Sequence, residues 1–153
     1  MMSKAGVIMF GGIVIPCWES GGMTEPVVLR VRPENFGVPL RWVEVQFDEA
    51  VWAWQRCRED RYAAGVFEAF RWLTVLTKIR PVSRDEVVAT PEAILEELVR
   101  AGSVAGGIPC PGAPIGVIHP VWALGVECAL GWSRGTSLRQ PLPWPGGHPP
   151  AVS

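Results

Sequence analysis

Ala63-x-Gly65-Val66-x-x-Ala69-x-x-Trp72 recurs further along the chain as Ala123-x-Gly125-Val126-x-x-Ala129-x-x-Trp132, and the Pro81 that follows the first copy recurs as Pro141. Neither copy contains a proline, and both place apolar residues at helical spacing. Ala and Gly at i, i+2 and i+6 keep part of the helix face small, so a second helix can approach closely. A Trp at the far end then covers the junction. The repeat predicts two similar helices crossing at their small residues in a pseudo-symmetric core.

Around the first copy, no proline occurs from Asp48 to Lys78, and Phe47, Val51 and Trp54 fall at i, i+4 and i+7. Asp48 and Glu49 are placed in the first turn, where the helix dipole favours negative charge. The run Arg56-Cys57-Arg58-Glu59-Asp60-Arg61 is too polar to bury, so the helix bridges solvent there or breaks. Tyr62, Val66, Phe70 and Leu73 then form an apolar stripe, which Phe67, Trp72 and Val75 widen almost all round. Pro81 stops this helix. Thr90-Pro91-Glu92 reads as a helix start, with a hydroxyl N-cap, proline at N1 and an acid next. Ile94, Leu95, Leu98 and Val99 make its expected buried face, Glu96 and Arg100 an i, i+4 pair, and Gly102 its end. A proline-rich loop spans 103–118. A last helix runs from about Val121 to Ser133 and closes near Gly135.

Upstream, Val27 to Arg32 alternates in part and Leu40 to Phe47 (LRWVEVQF) alternates more clearly, with turn-forming residues between them. This predicts a small antiparallel β-hairpin. The expected fold is therefore α+β and mainly α: a hairpin packed on three or four helices, with a flexible Pro/Gly-rich C-terminal tail. Residues 26–135 form the expected domain and 136–153 the tail.

The chain has 153 residues, 14 basic and 15 acidic, a length of about one domain. A net charge of −1 argues against a dedicated nucleic-acid binder. Arg30, Arg32, Arg41, Arg56, Arg58 and Arg61 are interleaved with acids and read as a solvated face. The four Cys (17, 57, 110 and 128) contain no C-x-x-C, and buried reduced cysteine suits a cytoplasmic protein. Cys110, His119 and Cys128 lack the tight pairing of zinc ligands. No metal and no cofactor is implied: Gly106-Gly107 lacks the P-loop Lys and Ser/Thr, and Gly11-Gly12 lacks the third glycine of a dinucleotide loop.

Residues 1–22 carry Lys4, an uncharged run from Ala5 to Trp18, and Gly21-Gly22 before Met23. They read as an over-long gene start, since Gly codons can encode a purine-rich ribosome-binding sequence ahead of Met23. The alternative is a signal-like segment, which would make the protein exported. The uncharged run is too short to span a bilayer as a helix. Only two of the basic residues are Lys (Lys4 and Lys78), and with abundant Ala, Gly, Pro and Val this points to GC-rich codons.

The Gly-Val-x-x-Ala-[Leu/Phe]-x-Trp signature at Gly65–Trp72 and Gly125–Trp132, with Pro81 and the Thr90-Pro91 start, resembles short actinobacterial and actinophage proteins over roughly residues 60–145. That resemblance implies a high-GC bacterium, phage or mobile element as the source, and it brings no activity with it.

Gly131-Trp132-Ser133-Arg134-Gly135 matches G-x-S-x-G, but a helix precedes Ser133 and no acid follows Glu127. His119 with Glu127 is the formal alternative set of partners. With two His in the chain, acid–base chemistry would fall to carboxylates such as Glu44, Asp48, Glu49, Glu59 and Asp60. A small hydrolase using Ser133 or a carboxylate is the runner-up. The leading expectation is a small non-enzymatic accessory protein acting through a protein partner or as a homo-oligomer, without nucleic acid or membrane. Eight Trp against one Tyr is a surplus of the residue type richest at binding hot spots. Trp52, Trp122 and Trp144 are the candidate interaction surface. Trp144 to Pro150 also reads as a short proline-rich docking peptide.

Overall fold

Leu40–Phe47, whose alternation predicts a strand, forms the first two turns of a helix. A computed structural model describes residues 32–108 and 118–152 with their side chains, and Val7–Phe10, Ile13–Pro16 and Val27–Leu29 as extended backbone alone. The expectations for residues 1–22, Cys17, Cys110 and the loop from 109 to 117 lie outside the described side chains. Between 32 and 152 the architecture is four helices, α1 (Leu40–Arg56), α2 (Arg61–Leu73), α3 (Pro91–Ala105) and α4 (Pro120–Ser133), with no strand among the described residues of that range. The predicted hairpin is thereby overturned: Val27–Leu29 is extended, but its proposed partner is helical. The reason is burial. Val43, Phe47, Ala50 and Val51 fall on one helical face and are all buried, and that face outweighs the strand propensity of Trp42, Val43, Val45 and Phe47. Asp48 and Glu49 consequently lie mid-helix rather than in a first turn.

The charged run breaks the chain between α1 and α2 at Cys57–Asp60, and Asp60 caps α2 by accepting from the Ala63 amide at 3.0 Å. Thr90 caps α3 in the same way, with Pro91 at N1. That helix passes Gly102 and ends three residues later.

The crossing of α2 and α4 has the geometry the repeat implies. A Cβ added to Gly65 would overlap the Trp122 carbonyl oxygen and lie 3.2 Å from the Val126 nitrogen. A Cβ on Gly125 would overlap the Tyr62 carbonyl oxygen and lie 3.1 Å from the Val66 nitrogen. Each glycine thus rests on the backbone of the other helix at the equivalent place. Ala63, Ala69, Ala123 and Ala129 around them are fully buried.

The two helices also end alike. After α2, Val75 donates to the Trp72 carbonyl (3.1 Å) and Leu76 and Thr77 to Arg71. After α4, Gly135 donates to Trp132 (2.9 Å) and Thr136 and Ser137 to Gly131. This termination needs a left-handed residue, and Gly135 takes it at φ 76°. In the first copy Val75 takes it at φ 64°, an unfavourable conformation for a β-branched side chain. Val75→Gly is therefore expected to stabilise the protein by about 1 kcal/mol, raising the melting temperature by about 2–4 °C. Gly135→Val is expected to lower it by at least as much. A calorimetric scan in which Val75→Gly melts below wild type would refute the strain argument.

The symmetry extends to the segments that follow. Gln46 in α1 and Glu97 in α3 each stand seven residues past their N-cap, and both are fully buried. Residues 74–89, the first strap, run over α3, where Glu97 accepts from the Val82 amide at 2.8 Å. Residues 134–150, the second strap, run over α1, where Gln46 accepts from the Leu142 amide at 2.9 Å. Val82 and Leu142 each follow one of the repeated prolines. Each half of the chain thus lays its strap on the first helix of the other half. The expectation of a flexible tail over 136–153 is corrected in its middle: Pro141, Leu142 and Pro150 are hydrogen-bonded to the helices, and Leu142 and Trp144 pack against the core.

Candidate functional site

Four polar contacts hold residues 141–150 of the second strap, and each of them is made to its main chain. The Gln46 side-chain amide makes a reciprocal pair with Leu142, donating to its carbonyl at 3.0 Å and accepting from its N–H. The Tyr62 hydroxyl donates to the Pro141 carbonyl at 2.7 Å. The Trp42 indole donates to the Pro150 carbonyl at 2.9 Å. α1 supplies Trp42 and Gln46 one helical turn apart, and Tyr62 comes from the first turn of α2, so all three converge on one side of the bundle. Burial pushes the Tyr62 phenol well above its ordinary value, and the Cys128 thiol beside it adds to the rise.

Two strap side chains, Leu142 and Trp144, pack against the core. The Trp144 ring meets Trp42 edge-on at 5.8 Å and Trp132 edge-on at 5.9 Å. Trp132 in turn meets Phe70 at 6.4 Å, and Phe70 stacks on Phe47 at 5.7 Å. The strap's tryptophan is therefore continuous with the aromatic core.

The sequence-predicted surface of Trp52, Trp122 and Trp144 separates. Trp52 is exposed, whereas Trp122 and Trp144 are partly buried against the core. The largest surprise is on α3. Leu95 and Val99, expected inside, are 50% and 70% exposed. The helix is rotated because Glu97 is drawn in to hold the first strap, so the buried face is Ala93, Ile94, Glu97 and Ala101.

The catalytic alternatives fare differently. Ser133 is fully buried, and its carbonyl accepts from the Gly37 amide at 2.6 Å. His119 is the exposed N-cap of α4, its Nδ1 accepting from the Val121 amide at 3.1 Å. Ser133 is the last residue of the same helix, so the two are about 20 Å apart at 1.5 Å per residue. No nucleophile–base pair can form between them. Glu44 pairs with Arg41 at 2.8 Å. Loss of solvation raises the Asp48 carboxyl above its ordinary range; it raises Glu49 too, with the Asp48 charge adding to that shift. Of the basic residues, Arg58 lies flat over the Trp54 ring at 3.7 Å. Among the described residues no group of His, Cys, Asp and Glu could hold a metal ion, and no helix is long and apolar enough to cross a membrane.

Trp42, Gln46, Tyr62 and Glu97 escaped sequence reading as functional residues. The available signal was the recurrence of Pro81 as Pro141. No family model matches the chain, and no match is found among curated proteins or solved structures.

Proposed function

We propose that this chain is a small non-enzymatic accessory protein that works by protein–protein contact, and that α3 is the face through which two copies meet. The observation that carries the reading is the pair Leu95 and Val99, one turn apart on one side of α3 and at least half exposed. Single exposed apolar residues such as Trp52 are ordinary on a protein surface. An aligned pair on one helix, with the partly buried Leu98 beside it, is the start of a contact patch. The flanking charges favour a second copy of the same chain. Glu92 and Glu96 lie toward the N-terminal end of the stripe and Arg100 toward the C-terminal end. An antiparallel two-fold approach sets Glu96 of one copy near Arg100 of the other, with Leu95 and Val99 between them.

Light scattering of the full chain over a range of concentrations tests this. Wild type is expected to associate to a dimer, and Val99→Lys to weaken that association by about tenfold or more. Because Val99 is exposed, its melting temperature should stay within about 2 °C of wild type. A chain that stays monomeric at every concentration, with Val99→Lys indistinguishable from it, would exclude α3 as a contact face.

A further inference from the structure

We propose that the groove formed by Trp42, Gln46, Tyr62 and Trp132 is a binding site for a proline-flanked tryptophan segment of another protein. In the free chain it is filled by the chain's own residues 141–150. The inference rests on the reading of an interaction protein but uses a different surface from α3.

Three observations carry it. First, the groove reads main chain. Its donors reach the carbonyls of Pro141, Leu142 and Pro150, and Gln46 also takes the Leu142 amide. A proline offers a carbonyl and no N–H, so a surface of side-chain donors suits a proline-rich ligand. Second, the tryptophan is preset. Trp144 sits at φ −69° and ψ 137°, the polyproline II conformation, between Pro143 and Pro145, and the chain then turns at Pro145–Gly147. The flanking prolines limit the ordering entropy lost at the tryptophan itself. Third, the two straps are held by different chemistry. The first is tied into a charged cluster of Glu97, Arg80 and Arg100, suited to a permanent tie. Residues 141–150 of the second are held by neutral donors, by Leu142 against the core and by one Trp inserted between two others, the chemistry of peptide-recognition grooves. The root of the second strap also carries Leu138, which is 99% exposed, so residues 136–140 can part from the helices without losing apolar burial there.

A tethered segment competes at an effective concentration of about millimolar, so an external ligand meets an almost closed groove in wild type. Weakening the internal strap should open it. The probe is a fluorescein-labelled synthetic peptide with the sequence of residues 140–150, followed by anisotropy against the full chain. Trp144→Ala is expected to bind it at least about tenfold more tightly than wild type does. A peptide with alanine in place of the tryptophan should bind neither, and adding Trp42→Ala to the Trp144→Ala chain should abolish binding. A Trp144→Ala chain that is folded by circular dichroism yet binds no peptide overturns the proposal. Should Trp144→Ala fail to fold, a protease site placed at Leu138 in the otherwise wild-type chain replaces it. Exchange of the cut strap for labelled peptide supports the groove, and a cut strap that excess peptide cannot displace overturns it. Cross-linking between positions 42 and 144 in a mixture of isotopically light and heavy chains reports whose strap fills the groove. Heavy-to-light links would make a second copy the ligand and overturn the assignment to another protein. Failure on α3 alone would appear only in the light scattering.

Discussion

Gly65→Ala is expected to leave little or no folded protein. The added methyl would occupy the position of the Trp122 carbonyl oxygen and press on the Trp122 carbonyl carbon at 3.0 Å and the Val126 nitrogen at 3.2 Å. All three are backbone atoms in the first two turns of α4, and no rotamer change can move them. The helices must separate instead. Separation opens the contacts among Ala63, Ala69, Ala123 and Ala129 and unseats Trp72 and Trp132, all of them buried. Overpacking of side chains alone costs about 1–3 kcal/mol, and parting two helices adds lost contacts on both. An expected cost above about 4 kcal/mol consumes most of a typical stability of about 5–15 kcal/mol. Gly125→Ala should behave the same way, because its methyl meets Tyr62 and Val66 in the mirrored arrangement. Two other helical glycines are the controls. At Gly102 a Cβ meets only the end of the Glu127 side chain, and at Gly131 nothing closer than 3.6 Å. Both lie inside helices, where alanine is favoured over glycine by about 1 kcal/mol. Gly131→Ala should therefore melt at or above wild type while Gly65→Ala and Gly125→Ala are insoluble or unfolded. Soluble yield and thermal melts of the four variants test this. A Gly65→Ala protein melting within about 2 °C of wild type would sink the account of the crossing.

The same glycines show what was legible in the sequence. Small residues at fixed offsets have one reason to recur in helices, close approach, so the α2–α4 crossing could be read from two ten-residue stretches. The α3 start at Thr90-Pro91 and the break before Arg61 were legible because caps and charge runs act locally. Leu40–Phe47 misled because Val43, Val45 and Phe47 satisfy a period of two in a short window. The helix needs Ala50 and Val51 to complete its face, and those lie beyond that window. Gln46 and Glu97 broke the apolar pattern for one reason: each is buried to receive a strap whose contact is long-range. That contact leaves no periodicity, only a proline at the same place in each half. Turning Glu97 inward is also what left Leu95 and Val99 outside while Ile94 and Leu98 kept their expected side, so the hydrogen bonds to a distant strap rotated the buried face of α3. The groove was invisible for a related reason. It holds carbonyl groups, which every residue has, so apart from Trp144 the strap's sequence shows mainly the Pro- and Gly-rich composition of a disordered tail.

Glu97→Gln and Gln46→Glu, a swap between two sites in equivalent positions, should both destabilise the protein strongly despite changing almost no volume. At Glu97 every contact is a donor. Val82 N–H at 2.8 Å and Ser83 N–H at 3.2 Å point at one oxygen. The Ser83 hydroxyl and the Arg100 guanidinium, the latter at 3.1 Å, point at the other. Two acceptor oxygens are needed, and only a carboxylate offers them without a hydrogen in the way. A glutamine there turns its NH2 group toward Arg100 and Ser83 or toward the two amides. Arg80, 11% exposed and 3.9 Å from Glu97, loses part of its compensation as well. The expected cost is about 2–4 kcal/mol, and for Glu97→Ala about 3–5 kcal/mol. At Gln46 the partner is one residue that both gives and takes, Leu142 N–H and Leu142 C=O. A glutamate there sets a buried negative charge against a carbonyl oxygen, at about 2–4 kcal/mol. Serine substitutes for neither, being too short to reach either strap. Urea titrations read these costs from the midpoints at constant slope. The two swaps should also differ in what they free. Gln46→Glu should release the second strap and quicken cleavage by a protease acting at Arg139, and Glu97→Gln should leave that cleavage unchanged while the folded state persists. Equal cleavage in the two variants, or a midpoint for either within error of wild type, would mean that the straps are held by packing alone and that the matched polar pairs are incidental to the fold.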